Sequence, residues 1–226
     1  DPYYRYKRKL FLRWLDQIDF TNKSVLEIGS GPGGNLAYLS ARACKEVTGA
    51  DISSNMIAIA KELLVNKNVA IIKTDGISLP FDNNHFDIVF TSTVLQHNTN
   101  EEQLALLIKD ICRVANDDLI IFERIEKKIS GHASNLGRPV DYYASLFSKN
   151  GFSLVDTAFL KTTASYYVCG AIRKLFNPKK KAEGEPVSKA VNILENIVLP
   201  VTKLLDKSMP GNMDLGMLRF RKTVLT

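Results

Sequence analysis

Apolar residues recur at two periods along the chain, and the switching between them predicts the fold. Residues 3–19 place Leu10, Phe11, Trp14, Leu15 and Ile18 at helical spacing, which predicts an amphipathic helix. Residues 24–28 are a short apolar run ending in glycines, as expected of a strand buried on both faces. A helix over 34–44, a strand over 46–50, a helix over 55–64 and strands over 69–74 and 86–91 follow. Residues 101–115 set Leu104, Leu107, Ile108 and Ile111 on one face, and Glu101 and Glu102 fall in the first turn, where they complement the helix dipole. Residues 119–123 read as the next strand. Strands and helices trading places in this order predict a doubly wound α/β sheet with its ligand crevice at the carboxyl ends of the strands.

After a helix over 142–149 the pattern changes. Residues 152–160 and 216–222 read as strands, and between them lies an insertion over 162–212 with helical patterns of its own. There, residues 187–207 put Val191, Leu194, Val198, Val201 and Leu205 on one stripe, with Lys189, Glu195, Lys203 and Asp206 away from it. This predicts an amphipathic helix kinked at Pro200. The expected organisation is one domain over 1–226: an N-terminal helix (1–20), a core (23–161), the helical insertion (162–212) and a last strand (213–226).

Composition narrows the class. A chain of 226 residues, 45% hydrophobic and 24% charged, has the makeup of a folded domain, not of a disordered or collagen-like one. No stretch of about eighteen uncharged apolar residues occurs, so no bilayer-spanning helix is expected. The first residue is Asp1, and Lys7, Arg8, Lys9 and Arg13 interrupt the apolar residues near it, which does not fit a signal peptide; the sequence reads as a trimmed chain. Cys44, Cys112 and Cys169 are far apart and odd in number, which suggests reduced thiols in a cytoplasmic protein. The net charge of +6 is uneven: from Lys161 onward 12 Lys+Arg face 5 Asp+Glu, so the front is near neutral and the back is basic.

The candidate chemistry centres on the segment from Val25 to Gly34, where a strand turns into a helix. Glycines there let the backbone approach a ligand, and the helix start offers free N–H groups. Gly29, Gly31 and Gly34 also fit the dinucleotide spacing, so the glycines alone imply only a nucleotide-like ligand. Glu27, two residues before the first glycine, would repel a pyrophosphate but suit an ammonium, which argues against NAD. Asp51, at the end of the second strand, can accept from two ribose hydroxyls, and Asp75-Gly76 follows the third strand.

These pieces together resemble the class I S-adenosylmethionine-dependent methyltransferases, of the small-molecule type related to ubiquinone and menaquinone methyltransferases. The resemblance rests on VLEIGSGPGGN (25–35), GADIS (49–53), DGISLPFDNNHFDIVFTSTVLQH (75–97) and LIIFE (119–123). It implies a Rossmann-like seven-stranded sheet with an antiparallel last strand, and S-adenosyl-L-methionine as cofactor with S-adenosyl-L-homocysteine as product. It further implies that Glu27, Gly29, Ser30, Gly31 and Gly33 shape the methionine end of the pocket and that Asp51 holds the ribose. Ile52 then covers the adenine, Asp75 and Gly76 meet its amine, and Thr91 faces the methionine moiety. The N-terminal helix is the expected lid, with Tyr3, Tyr4 and Arg8 as its candidates and Arg8 pairing with the cofactor carboxylate.

A hydroxyl acceptor needs a base, and His97 follows the fourth strand at the mouth of the crevice. His97 serves as that base, or it caps the helix starting near Asn100 or only shapes the acceptor pocket. Glu123 and Arg124 end the fifth strand, where they either bind or deprotonate the acceptor or pair with each other. His85 and His132 read as loop residues, and no cluster has metal-ligand spacing. The expected acceptor is the hydroxyl oxygen of a small or lipid-linked molecule, such as a sugar, glycan or quinone precursor. A nucleic-acid methyltransferase is an alternative prompted by the basic C-terminal third, although no Asn/Asp-Pro-Pro-Tyr/Phe motif follows the fourth strand. An NAD-dependent oxidoreductase or a non-catalytic nucleotide-binding module is the other. The insertion, with its Lys179-Lys180-Lys181 run, reads as a substrate lid, a homodimer contact or a segment lying on an anionic membrane.

Overall fold

The computed structural model describes residues 1–176 and 187–223; the Lys179-Lys180-Lys181 run lies outside them. Contacts divide the chain into two compact units, one of Asp1–Asp19 with Phe159–Met213 and one of Phe20–Ala158 with Asp214–Thr226.

The larger unit is built on β1 (Ser24–Ile28), β2 (Glu46–Asp51), β3 (Ala70–Lys73), β4 (Phe86–Ser92) and β5 (Ala115–Glu123). With β8 (Phe152–Phe159) and β9 (Gly216–Lys222) these form one seven-stranded sheet in the order β3-β2-β1-β4-β5-β9-β8. β1 pairs in parallel with β2 and with β4, and β4 in parallel with β5, whereas β9 runs antiparallel to β5 with Ile120 opposite Arg219. The doubly wound sheet is thus the architecture the alternation predicts, and its antiparallel last strand is the one the family resemblance implies. Every residue of β1 is buried, Ser24 and Glu27 among them, and Leu119 to Phe122 of β5 are inaccessible to solvent, which accounts for the unbroken apolar run of β5. Between β1 and β4 the strand order reverses, and that switch point opens a crevice at the carboxyl ends.

The helices of this unit are α2 (Gly34–Leu39), α3 (Ser54–Leu63), α4 (Glu101–Val114) and α5 (Val140–Ser148). Ser53 caps α3 through Met56 N, and Asn100 caps α4 through Glu102 N and Gln103 N. α2 stops at Leu39, five residues short of the expected end, because Ser40 turns its hydroxyl onto the Ala37 carbonyl and Arg42 N closes a tight turn on Leu39 O. A small hairpin of β6 (Ser130–His132) and β7 (Asn135–Gly137) lies between β5 and α5, where no element is predicted.

The smaller unit consists of α1 (Pro2–Leu15), α6 (Thr163–Phe176) and α7 (Lys189–Ser208), with Pro200 inside α7. Tyr3, Cys169 and Leu199 form its buried centre. The inward face of α7 is Val191, Glu195, Leu199, Thr202 and Asp206, a more polar set than the predicted stripe, of which Val201 and Leu205 are exposed. Glu195 selects that face by pairing with Arg173 at 2.7 Å and accepting from Tyr3 N. Asp206 accepts from Ala164 N, Ser165 N and Ser165 Oγ, capping the start of α6. Among the described residues, no helix is long and apolar enough to cross a membrane.

Candidate active site

The crevice holds a cavity of about 450 Å³ whose wall is assembled from the ends of four strands. Ile28 and Gly29 come from β1, Ala50 to Ile52 from β2, Thr74 to Ile77 from the turn after β3, and Thr93 and Val94 from the turn after β4. Gly29, Gly31 and Gly33 all have positive φ, at 67°, 52° and 82°. A Cβ on Gly29 would collide with the Val94 side chain, so this residue can only be glycine while Val94 packs where it does.

Asp51 fastens the glycine turn to β2. Its Oδ2 accepts from Gly31 N at 2.7 Å and its Oδ1 from Ser53 N at 2.8 Å. One lone pair on each oxygen is still directed outward, which is what two vicinal ribose hydroxyls require. Beside it Ile52 lines the cavity with 64% of its surface exposed, an apolar side chain suited to one face of an adenine. Gly76, at φ 80°, leaves Ile52 the space it occupies. Asp75 accepts from Ile77 N and Ser78 N with Oδ1 and from Ser78 Oγ with Oδ2, and these three bonds hold its carboxyl down at about 2. The loop beyond is clamped by Arg113 of α4, which donates to the Leu79 and Phe81 carbonyls. A nucleoside therefore fits this cradle.

Other predicted residues support the wall from behind. Glu27 is buried and accepts from the Asn35 side-chain amide at 2.6 Å, tying β1 to α2. Ser30 is buried next to Gly49, and Gly33 is the left-handed residue that starts α2. Thr91 and Glu123 are both wholly buried, and neither borders the cavity. Thr91 donates to Glu123 Oε1, which also accepts from Val94 N and Leu95 N, while Oε2 accepts from Gln96 N. Burial pushes the Glu123 carboxyl up, and the four donors pull it back. The geometry thus makes Glu123 a positioning residue that fixes the turn after β4, and not a group that touches the acceptor. Nor does it pair with Arg124, which meets Glu126 at 2.6 Å. Thr93 takes the cavity-facing place expected for Thr91; it has φ 57°, a strained backbone for a β-branched residue.

The turn that Glu123 secures carries His97. This exposed imidazole borders the cavity, and its Nδ1 lies 3.0 Å from the Ser134 carbonyl in the β6–β7 turn. A carbonyl only accepts, so Nδ1 bears the hydrogen of the neutral ring and Nε2 presents its lone pair. The Gln96 amide nitrogen donates to that lone pair in a long contact of 3.4 Å, oriented by its own Oε1 accepting from Arg124 N. Thr99 Oγ1 donates to Ala133 O, pinning the same hairpin turn. Arg138 is wholly buried behind this loop and donates to the Leu95 and Asn98 carbonyls and to Glu101. Capping of α4 falls to Asn100, leaving His97 free of that task. Ser134 and Arg138 carry no motif, and Gln96 lies within the matching segment 75–97 without an assigned role, so the sequence does not announce them.

Tyr4 and Arg8 lie in the smaller unit. There Tyr4 packs edge-on against Tyr3 and beneath the Arg173 guanidinium, and Arg8 lies over the Phe11 ring. His85 stacks beside Phe86 and faces Glu46, and His132 sits in β6. No group of His, Cys, Asp and Glu among the described residues could hold a metal ion.

Comparison with known proteins agrees with this geometry. Residues 25–118 match the family described as a methyltransferase domain. Phosphoethanolamine N-methyltransferase 2 of Caenorhabditis elegans is 36% identical over 85 residues, 36% of this chain and 20% of the relative. Ribosomal RNA small subunit methyltransferase A of Mesomycoplasma hyopneumoniae is 36% identical over 75 residues, 33% of this chain and 29% of the relative. Phthiotriol/phenolphthiotriol dimycocerosates methyltransferase of Mycobacterium leprae is 31% identical over 81 residues, 35% and 30% of the two chains. The match thus spans about a third or less of each of these relatives, whose names give three different acceptors. Among solved structures, Haemonchus contortus phosphoethanolamine N-methyltransferase 2 in complex with S-adenosyl-L-methionine superposes with a TM-score of 0.62. Its sequence is 18% identical, and the superposition covers 92% of this chain and 50% of that one, a likeness of fold. With the glycine turn, the Asp51 cradle and the sheet order beside it, the methyltransferase-domain match at residues 25–118 supports a class I S-adenosylmethionine-dependent methyltransferase.

Proposed function

We propose that the protein transfers a methyl group to a hydroxyl oxygen of a small or lipid-linked acceptor, with His97 as general base. The observation that carries this reading is His97 at the edge of the cavity, with Nδ1 3.0 Å from the Ser134 carbonyl, so that Nε2 holds the lone pair; the acceptor hydroxyl replaces the long 3.4 Å contact of the Gln96 amide there. S-adenosyl-L-methionine supplies a methyl group on a sulfonium, already activated toward displacement, so the residues need to align the acceptor and remove its proton. Asp51, Ile52 and Asp75 to Ile77 hold the nucleoside end, and Gly29 and Gly31 let the chain pass close to the amino-acid end. His97 takes the acceptor proton as the oxygen attacks, and Glu123 and Arg138 keep the turn that carries it in place.

The names of the relatives support a lipid or phospho-headgroup acceptor on one side and an amine on the other. Transfer to nitrogen is the second reading; an ammonium must also lose a proton first, so the same Nε2 serves it. Incubation with methyl-labelled cofactor and paired hydroxyl and amine acceptors, each analysed by mass, decides between them. Labelled product from hydroxyl acceptors that falls at least a hundredfold in His97→Gln supports the proposal. Undiminished turnover in that variant refutes the base, and labelling confined to amines refutes the oxygen acceptor.

A further inference from the structure

The smaller unit wears its polarity inside out along α7. Its acids, Glu195 and Asp206, point inward and are bonded there, whereas Ile193, Ile197, Val201 and Leu204 are each 61–66% exposed. At 100° per residue these four fall within about 80° of arc, on the side opposite Glu195 and Asp206. The outward face therefore carries aliphatic side chains and no acid, with Lys189 and Lys207 along one edge. Exposing a continuous aliphatic stripe while burying carboxylates is unfavourable in water, and it is the arrangement expected where the outer medium is apolar.

The same edge opens into a second cavity of about 390 Å³ between α1 and α7. Arg5 and Lys9, one turn apart on α1, and Lys203, above the Tyr6 ring at 4.8 Å, supply its charge, and no acidic residue lines it. Pro200 borders both the aliphatic stripe and this basic cleft. Residues 1–19 and 159–213 together carry 14 Lys+Arg against 7 Asp+Glu, of which two, Glu195 and Asp206, are turned inward. Aliphatic side chains at bilayer depth beside a cationic cleft at headgroup height match an anionic membrane surface in both chemistry and order.

We infer that the outward face of α7 and the Arg5/Lys9/Lys203 cleft are a docking surface for a bilayer containing anionic phospholipid. The inference stands independently of the methyl-transfer reading. The test is co-sedimentation of the full chain with vesicles of phosphatidylcholine alone and with 30% phosphatidylglycerol. Binding should be at least tenfold tighter to the anionic vesicles. Ile197→Glu/Val201→Glu should abolish it, and Arg5→Gln/Lys9→Gln should weaken it roughly 25-fold, about fivefold per cation. Both substitutions lie on exposed positions, so unchanged circular dichroism and S-adenosylhomocysteine binding verify the fold. Failure of the parent chain to bind, or binding by Ile197→Glu/Val201→Glu equal to the parent, overturns the inference. A concentration-dependent dimer that this double variant dissociates, without vesicle binding by the parent, also overturns it and gives the face to a second copy of the chain.

Discussion

His97 owes its proposed role to a carbonyl 37 positions further along the chain. Were Ser134 O absent, Nδ1 would lose the acceptor that holds the ring hydrogen there, and molecules with the hydrogen on Nε2 would have no lone pair to offer the acceptor. His97→Gln, which keeps a polar group but cannot take up a proton, should lower turnover by roughly 10² to 10⁴ while calorimetric binding of S-adenosylhomocysteine is unchanged. Glu123→Ala strips four donors of their acceptor inside the molecule and should cost about 3–5 kcal/mol in urea unfolding, with Glu123→Gln recovering part. Asp75 gives a pH signature. Its carboxyl is held at about 2, below the ordinary 3.8, so its turn is fully formed above pH 4 and is lost as pH falls through 2. The Ile77 and Ser78 amide resonances should report that titration by NMR, and a midpoint near 4 would show that their bonds to Asp75 are absent in solution. Asp51 and Gly76 are legible from their places after the second and third strands, and Ile52 from the family resemblance, because their neighbours along the chain decide their surroundings. Thr91 and Glu123 are not, since strand alternation turns both into the interior and leaves Thr93 to face the cavity.

At the scale of elements, what is legible depends on whether one period dominates. The strands with continuous apolar runs lie where the pattern predicts them, within a residue or two except for β5. That strand starts four residues early because Asn116, Asp117 and Asp118 hide it, and Asp118 is held by Arg219 across the ladder. The β6–β7 hairpin has too few apolar positions to show a period of two, yet it orients His97. Helix α7 is predicted in its extent but with a different face inward, because the choice was made by two ion and hydrogen-bond partnerships on α1 and α6. Asp206→Ala should test that choice. It leaves two backbone donors of α6 without their acceptor and the Ser165 hydroxyl with Thr202 Oγ1 alone, and should destabilise the unit by about 2–4 kcal/mol, with Asp206→Asn closer to the parent. A loss below 0.5 kcal/mol would mean that apolar packing, and not these bonds, orients the helix.

For the molecule as a whole, the decisive feature is that β9 lies between β5 and β8 although it comes last of the three in sequence. Removing residues 214–226 would take out an interior strand together with the Arg219–Asp118 pair, so the truncated chain should lose both cooperative unfolding of the sheet and S-adenosylhomocysteine binding. For the intact chain, S-adenosylhomocysteine at a hundred times its Kd should add about 2.7 kcal/mol to the stability of the sheet unit. The order of synthesis gives the same strand another meaning. β5 is complete at Glu123, but its partner begins only at Gly216, and at about 5–20 residues per second the ribosome needs roughly 5–20 s to bridge that interval. Throughout it the backbone from Asp118 to Glu123, apolar from Leu119 to Phe122, is an open template for any strand that meets it. Slower translation lengthens that exposure, so the yield of folded protein should depend on what shields this edge in the seconds before the chain can shield itself.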